Sequence, residues 1–489
     1  MSRRGRGAGL GGPGSSGAPT STPESAAGPA GFVLAVDSPA YGPFAAGRRE
    51  DGKVVLVDHA VPGDLVEAEP YHETSSLVNA RITRVVEPSP HRREPLCPSF
   101  PACGGCSWMN YIREAQLRYK AEVVNRLLSR LRPQGTRPDR MADGRWSTVD
   151  GSPTGEGKPA PHGSPDPPLP GHLLSEILHD ALELGYRHRV RLHLSGRPGV
   201  PCSIGFFSHG THDVVPIRSC PVCVPELDRA VAALAGWPPP VPFSASVELV
   251  ATADGAVLGV LYLSQPIRRP AGLARRLVED GLLAGAVVAS PESGWGRFGV
   301  QSGRIRVSGR EAEEGLDAEE SIFVPVSATS FCQANRTVNR LLVRHVVDTV
   351  RQTGASRVLE LYAGHGNFTY PLAHAGTEVV AVEVGVDLSI LPPHPRVRFI
   401  RGDAVGQLRK LGRAPLVLLD PPRTGARELM PHLAKAGPGH ILYVSCDPNT
   451  FVRDAAVLSE GGYRIASITA FDMMPQTHHV ELTALFQAD

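Results

Sequence analysis

No stretch of this 489-residue chain approaches the roughly 18 consecutive apolar residues that a membrane-spanning helix needs, so no such helix is expected. Neither sign of charge dominates, with 50 Lys plus Arg against 49 Asp plus Glu and a formal net charge of +1. That balance identifies no partner, because a nucleic-acid-binding face can hide inside a neutral total, so charge has to be read locally. The first residues place Arg3, Arg4 and Arg6 before a Gly/Ser/Pro/Ala stretch without an apolar core segment, unlike a secretory signal. A soluble, cytoplasmic protein acting as a monomer is the expectation. Cysteine is sparse: eight in a chain of this length do not make a disulfide scaffold. In a reducing compartment clustered cysteines bind metal or do chemistry. Cys97, Cys103 and Cys106 are clustered, whereas Cys202, Cys220, Cys223, Cys332 and Cys446 are scattered.

What the chain does have is enough apolar material, 42% of its residues, for two or three domains with cores of their own. Residues 1–30 have almost nothing to bury and read as a disordered tail. Residues 31–93 carry short β-type runs, Phe32–Val36, Lys53–Val57 and Leu65–Glu69, broken by turn signals such as Pro62-Gly63, and predict a small β-barrel. A central β-rich α+β region follows over 94–325. Within it 108–131 has helical spacing (Leu117, Val124, Leu127, Leu128, Leu131), and 146–171 includes a flexible Pro/Gly-rich insertion. Residues 113–145 hold nine Arg or Lys against four Asp or Glu, either a solvated basic face or a phosphate-binding one. The alternating, basic strand around Tyr186–Leu194 is a second such candidate. Over 326–489 apolar runs alternate with helical patterns: Arg357–Leu361, Glu378–Val384, Val397–Ile400, Leu416–Leu419 and His440–Val444. That alternation predicts a doubly wound α/β sheet, whose ligands bind at the carboxyl ends of the strands.

The first of those strands runs through Tyr362 into a turn carrying Gly364 and Gly366, and then into a helix. Two glycines let the backbone approach a ligand, and the helix offers free N–H groups. Thr369 stands where a dinucleotide fingerprint would place its third Gly or Ala, which favours a nucleoside without a pyrophosphate. Glu383, ending the second strand, can accept both ribose hydroxyls, and Asp403, after the third, can meet an adenine amino group. Together they point to S-adenosylmethionine; the bland reading is a structural turn with two solvated carboxylates. The next two strand tips read Asp420-Pro421-Pro422-Arg423 and Ser445-Cys446-Asp447-Pro448, and Glu481 stands at the entrance to a final strand, Leu482–Phe486. Taken alone, Cys446 reads as a small buried residue at a strand end and Glu481 as surface.

In company they resemble the RNA uracil-5-methyltransferases, the family of tRNA and 23S rRNA 5-methyluridine enzymes. The resemblance is carried by Ser330-Phe331-Cys332-Gln333-Ala334-Asn335, the Gly364 loop, the Asp420 and Cys446 tips and His479-Val480-Glu481, five ordered motifs over about 160 residues. It implies a Rossmann-like S-adenosylmethionine methyltransferase domain over 326–489, with Cys446 as nucleophile and Glu481 as the base that removes the C5 proton. Asp420 would hydrogen-bond the uracil edge beside the cofactor, and Gln333 would contact the cofactor or the uracil O4 side. The chemistry fits: uracil C5 is a poor nucleophile until a thiolate adds at C6. The chain departs from the family in having Asp447 where Asn follows the cysteine, and in a short Pro-rich segment (Pro392, Pro393, Pro395) after Glu383.

Cys97-x5-Cys103-Gly104-Gly105-Cys106 offers three thiolates, and a four-coordinate site needs one more. Geometry alone does not separate zinc from iron–sulfur. The resemblance implies a [4Fe-4S] cluster, with Cys220 in Arg218-Ser219-Cys220-Pro221 as fourth ligand and Cys223 as its competitor; Cys202 matches nothing. It also makes the barrel a TRAM (OB-like) RNA-binding domain, although 31–93 lacks a basic excess and aromatics such as Tyr41 would have to carry contacts. The expected partner is structured RNA, 23S rRNA ahead of tRNA, with no membrane. Two alternatives remain from other classes. An amino-methyltransferase would place an aromatic residue where Arg423 stands, and a non-catalytic RNA-binding protein would have lost the nucleophile or the base.

Overall fold

A computed structural model describes residues 31–131, 174, 177–309 and 321–488. The tail 1–30, the insertion 146–171 and the part of the basic stretch beyond 131 lie outside the described residues.

Five strands, Phe32–Pro39, Phe44–Arg48, Val54–Asp58, Leu65–Glu73 and Leu77–Glu87, close into a barrel, with the fifth strand inserted parallel to the third. Small inward side chains fill its narrow interior: Ala45, Val55, Val57, Val66, Ala68, Val78 and Ala80 are all at 0% exposure. Closure leaves no edge strand open to another chain.

The central region is a seven-stranded sheet ordered Gly294–Gly299, Gly285–Ser290, Val257–Leu263, Phe243–Ala251, Arg189–Arg197, Val200–Phe207 and Val214–Pro216. Helices Pro225–Gly236 and Pro270–Glu279 cover one face. The hairpin Ser302–Ser308/Ile322–Ser327 shares a core with the other face and with Tyr370 of the C-terminal region.

The C-terminal sheet has eight strands, ordered Val397–Arg401, Glu378–Glu383, Arg357–Leu361, Leu416–Leu419, His440–Ser445, Glu481–Ala488, Tyr463–Phe471 and Ile177–Leu178. The first five run parallel, and Glu481–Ala488 is antiparallel to both neighbours. Strand order reverses between Arg357–Leu361 and Leu416–Leu419, so a crevice opens there at the carboxyl ends. Leu359 and Leu361 point into one core, Val358 into the other. The strands are apolar on both faces because both are covered.

The helix expected over 108–131 spans Arg113–Leu128, and it lies on this sheet: Val124 and Leu128 share a core with Phe451, Leu458 and Ile177. Buried Lys120 and Arg113 both pair with Asp472, in the turn after Tyr463–Phe471. Chain from the middle of the sequence thus completes the far edge of the C-terminal sheet. Among the described residues no helix is long and apolar enough to cross a membrane.

Candidate active site

At the end of Arg357–Leu361 the backbone turns through three left-handed residues, Tyr362 (φ 63°), Gly364 (φ 54°) and Gly366 (φ 98°). A Cβ on Gly364 would meet nothing within 4 Å, whereas one on Gly366 would come within 2.5 Å of the Tyr370 ring. The first glycine leaves open space and the second permits close packing. Thr369 is there for a local reason: its hydroxyl donates to Glu360 at 2.6 Å, on a carboxyl only 2% exposed. Burial pushes Glu360 up to about 8.

Glu383 accepts the backbone N–H of Gly364 (3.1 Å) on one oxygen and that of Gly385 (2.8 Å) on the other. It braces the glycine turn while each oxygen keeps a further lone pair for a ligand. Asp403 caps the helix Ala404–Leu411, accepting from the Gly406 N–H at 2.6 Å. Tyr362, Glu383 and Asp403 line one cavity of about 750 Å³, joined by Arg409, Glu428 and His432, which sequence reasoning did not single out. Gln333, Gly364, Gly366 and Asp420 are not among its lining residues. The Pro-rich segment forms a short 3-10 turn, Leu388–Ile390, and the Pro392 carbonyl accepts from the Tyr370 hydroxyl at 3.0 Å.

The second cluster stands on the neighbouring tips. Asp420 follows Leu416–Leu419 and Cys446 follows His440–Ser445. A register that pairs Ser445 with Leu482 brings Glu481, first residue of its strand, beside Cys446. Gln333 donates to Asp420 at 3.3 Å, which sets it with this group rather than in the cavity. Glu481 is 2% exposed, and its Oε1 has no hydrogen-bond partner. Burial, then the nearby Asp420 charge, holds the Glu481 carboxyl well above its ordinary range against the pull of Arg423. Burial pushes Asp420 up to about 7, with the Gln333 hydrogen bond opposing. Burial and the charges of Glu481 and Asp420 push the Cys446 thiol up to about 12, and Arg423 opposes them. At rest the group therefore holds protons, and Arg423 is the cation placed to favour their loss. Arg423 meets His479 at 3.3 Å, and the His478 and His479 rings lie 4.2 Å apart.

Cys97, Cys103, Cys106 and Cys220 line a third space, a small cavity of about 20 Å³ shared with Arg187 and Met109. Gly104 lets the loop press on the central sheet: its N–H donates to the Phe207 carbonyl at 2.9 Å, and a Cβ there would stand 2.6 Å from that oxygen. Burial pushes Cys103 up to about 11 and Cys106 to about 12. Cys223 hydrogen-bonds to Cys220, its N–H donating to the Cys220 carbonyl at 2.9 Å, but is not among the lining residues, and Cys202 is in the core of the central sheet. Among the described residues no three Cys, His, Asp or Glu side chains stand in a ready-made metal-binding arrangement. Four thiols facing one apolar space are nonetheless the donor set that a four-thiolate group takes.

Residues 303–389 and 409–489 match the sequence model of the tRNA (Uracil-5-)-methyltransferase family. The 23S rRNA (uracil(1939)-C(5))-methyltransferase RlmD of Dechloromonas aromatica is 31% identical over 485 residues, covering 94% of this chain and 99% of that protein. Its counterpart of the same name in Yersinia enterocolitica is 29% identical over 480 residues, 94% and 96% covered. The fold is similar to that of the Pyrococcus abyssi tRNA (uracil-54, C5)-methyltransferase in complex with S-adenosyl-L-homocysteine, with a TM-score of 0.62, 19% identity and coverage of 93% and 100%. The chain belongs to the RNA uracil-5-methyltransferase family and is an S-adenosylmethionine-dependent RNA (uracil-C5)-methyltransferase.

Proposed function

We propose that this chain converts one uridine of 23S rRNA to 5-methyluridine through a covalent bond between Cys446 and uracil C6. One observation carries the reading: Cys446, Asp420 and Glu481 meet on adjacent strand tips, on the same edge as the cavity lined by Glu383 and Asp403. The RNA target rests on relatives that span nearly the whole chain.

S-Adenosylmethionine, held by Tyr362, Glu383 and Asp403 against the open Gly364 turn, supplies an electrophilic methyl group. The target base leaves its stack to reach the recessed thiol. Cys446 passes its proton to the carboxylate pair, and Asp420, near 7, is the member ready to take it at neutral pH. The thiolate bonds to C6, and the former C5–C6 electron pair moves toward O4, where Asp420 and Gln333 offer hydrogen bonds. C5 then bonds to the methyl carbon with the electron pair returning from O4, while the bond from that carbon to the donor sulfur breaks and S-adenosylhomocysteine leaves. Glu481, which must first lose the proton that burial favours, with Arg423 drawing it toward the anion, removes the C5 proton; the C5–C6 double bond re-forms and the C6–S bond breaks. Cys97, Cys103, Cys106 and Cys220 would hold a [4Fe-4S] cluster that fixes the fold and its RNA-facing surface.

The test uses 23S rRNA containing 5-fluorouridine, whose C5 fluorine cannot be removed as a proton. Intact enzyme with S-adenosylmethionine is expected to give a stable protein–RNA adduct, and Cys446→Ala none. An equal adduct with Cys446→Ala would overturn the nucleophile. Mapping 5-methyluridine in a deletion strain checks the target: a loss from tRNA with 23S rRNA intact would overturn the choice of RNA.

A further inference from the structure

We infer that Tyr41, from the N-terminal barrel, is a positioning residue of the methyl-transfer site: its hydroxyl donates to Asp447 Oδ2 at 3.2 Å and holds that carboxylate away from Cys446. The inference rests on the reading of Cys446 as nucleophile.

Asp447 has two tasks at the tip. Its Oδ1 caps the helix Pro448–Glu460, accepting from the N–H groups of Asn449 (2.8 Å) and Thr450 (3.3 Å). Its Oδ2 takes the Tyr41 hydroxyl. A carboxylate next in sequence to a nucleophilic cysteine is a liability, and the Asp447 charge is among the influences that keep the thiol protonated. An uncommitted Oδ2 could turn toward the sulfur. Committed to three donors, the carboxylate has its charge spread and its direction fixed. An aspartate is thereby tolerated next to the nucleophile.

Tyr41 is itself held in place. It lies in the turn joining Phe32–Pro39 to Phe44–Arg48, and Gly42 beside it takes a left-handed φ of 116°. The Gly42 carbonyl accepts the indole N–H of Trp108 at 3.1 Å, and Trp108 is 1% exposed. Arg126, on the helix Arg113–Leu128, donates to the Pro39 carbonyl at 3.1 Å. The Tyr41 ring meets His478 edge-on at 5.2 Å, and His478 packs on His479, the partner of Arg423. One barrel side chain thus touches both the Cys446 tip and the segment leading to Glu481. The barrel completes the active site as well as flanking it.

The experiment measures single-turnover methyl transfer to a 23S rRNA transcript by the full-length enzyme, with RNA and S-adenosylmethionine affinities determined separately. Tyr41→Phe keeps the ring against His478 and removes only the hydroxyl. Methyl transfer is expected to slow roughly tenfold, as for loss of one charge-assisted hydrogen bond, with both affinities unchanged. Adding Asp447→Asn removes the stray charge but keeps the helix cap, so the double variant is expected to recover most of the lost rate. Weakened RNA affinity with unchanged methyl transfer would make Tyr41 an RNA contact and overturn the inference. So would a Tyr41→Phe defect that Asp447→Asn leaves untouched, or no defect at all. Cys446→Ala run in parallel keeps the two readings apart: adducts with that variant sink the nucleophile reading, whereas their absence beside an unaffected Tyr41→Phe sinks only this one.

Discussion

Glu360 shows how one buried side chain ties the cofactor loop to the stability of the sheet beneath it. Its carboxyl is 2% exposed, accepts the Thr369 hydroxyl at 2.6 Å, and is pushed by burial up to about 8. The folded chain therefore binds this proton more tightly than the unfolded chain, whose glutamate titrates at its ordinary value near 4.5. The stability it contributes is fully present below about 4.5 and is lost as pH rises through about 8, at roughly 1.4 kcal/mol per pH unit in between. Glu360→Gln keeps an acceptor for Thr369 and cannot ionise. Thermal melts of the two proteins are expected to coincide near pH 5, with the variant melting higher by pH 8; a variant less stable at every pH would refute the account. Sequence alone did not reach this pair. An acid in mid-strand looks solvated until the covering helix is known, and Thr369 was legible only as a missing glycine.

At the scale of elements, the cofactor turn was legible because strand, glycine pair and helix each leave a local signal. The two glycines nonetheless do different work, and substitution separates them. Gly366→Ala drives a Cβ to within 2.5 Å of the Tyr370 ring at a φ of 98°, and Tyr370 is buried and bonded to Pro392. Off-region backbone alone costs on the order of 1–3 kcal/mol, and the clash adds to it. This variant is expected to unfold several degrees early. Gly364→Ala meets nothing within 4 Å but still holds alanine at a left-handed φ of 54°, so it is expected to carry the backbone cost without the clash and to melt between the parent and Gly366→Ala. If the open space is where S-adenosylmethionine lies, calorimetry will show its affinity falling at least tenfold in Gly364→Ala, about 1.4 kcal/mol. Unchanged affinity would move the ligand elsewhere. The parallel strands were readable because burial on both faces makes each a continuous apolar run, as in Leu416–Leu419. Ile177–Leu178 was not: two residues that pair with Ala470 and Phe471, far along the chain, leave no local pattern. The strand Phe44–Arg48 (FAAGR) was missed because its inward Ala45 and Gly47 carry almost no hydrophobic signal.

At the scale of the whole molecule, the cysteine loop and the Glu481 strand form one mechanical unit. Directly after Cys106, the N–H groups of Ser107 and Trp108 both donate to the Gln476 carbonyl, at 3.0 and 2.9 Å. The Ser107 hydroxyl stands 3.1 Å from His478 Nδ1, and Gln116 and Gln476 exchange side-chain hydrogen bonds with each other and with backbone. Lys120, fully buried, pairs with Asp472 and donates to the Met474 carbonyl at 3.0 Å. The segment 472–480 that delivers Glu481 is therefore fastened to the same stretch of chain that presents Cys97, Cys103 and Cys106. A cluster bound by those thiols would stiffen that stretch by cross-linking it to Cys220, in the loop between Val214–Pro216 and the helix Pro225–Gly236. Anaerobic purification is expected to give about four irons and four sulfides per chain, and zinc without sulfide would reject the cluster. After oxidative removal of the metal, amide exchange is expected to speed up over 103–109 and 472–481. The barrel strands and Arg357–Leu361, whose cores do not pass through the cysteine loop, are expected to keep their protection. Exchange that rises only at the cysteines would show the Gln476 and His478 contacts too weak to transmit the loss. Exchange that rises everywhere would make the cluster a requirement for the global fold rather than a brace for the catalytic edge.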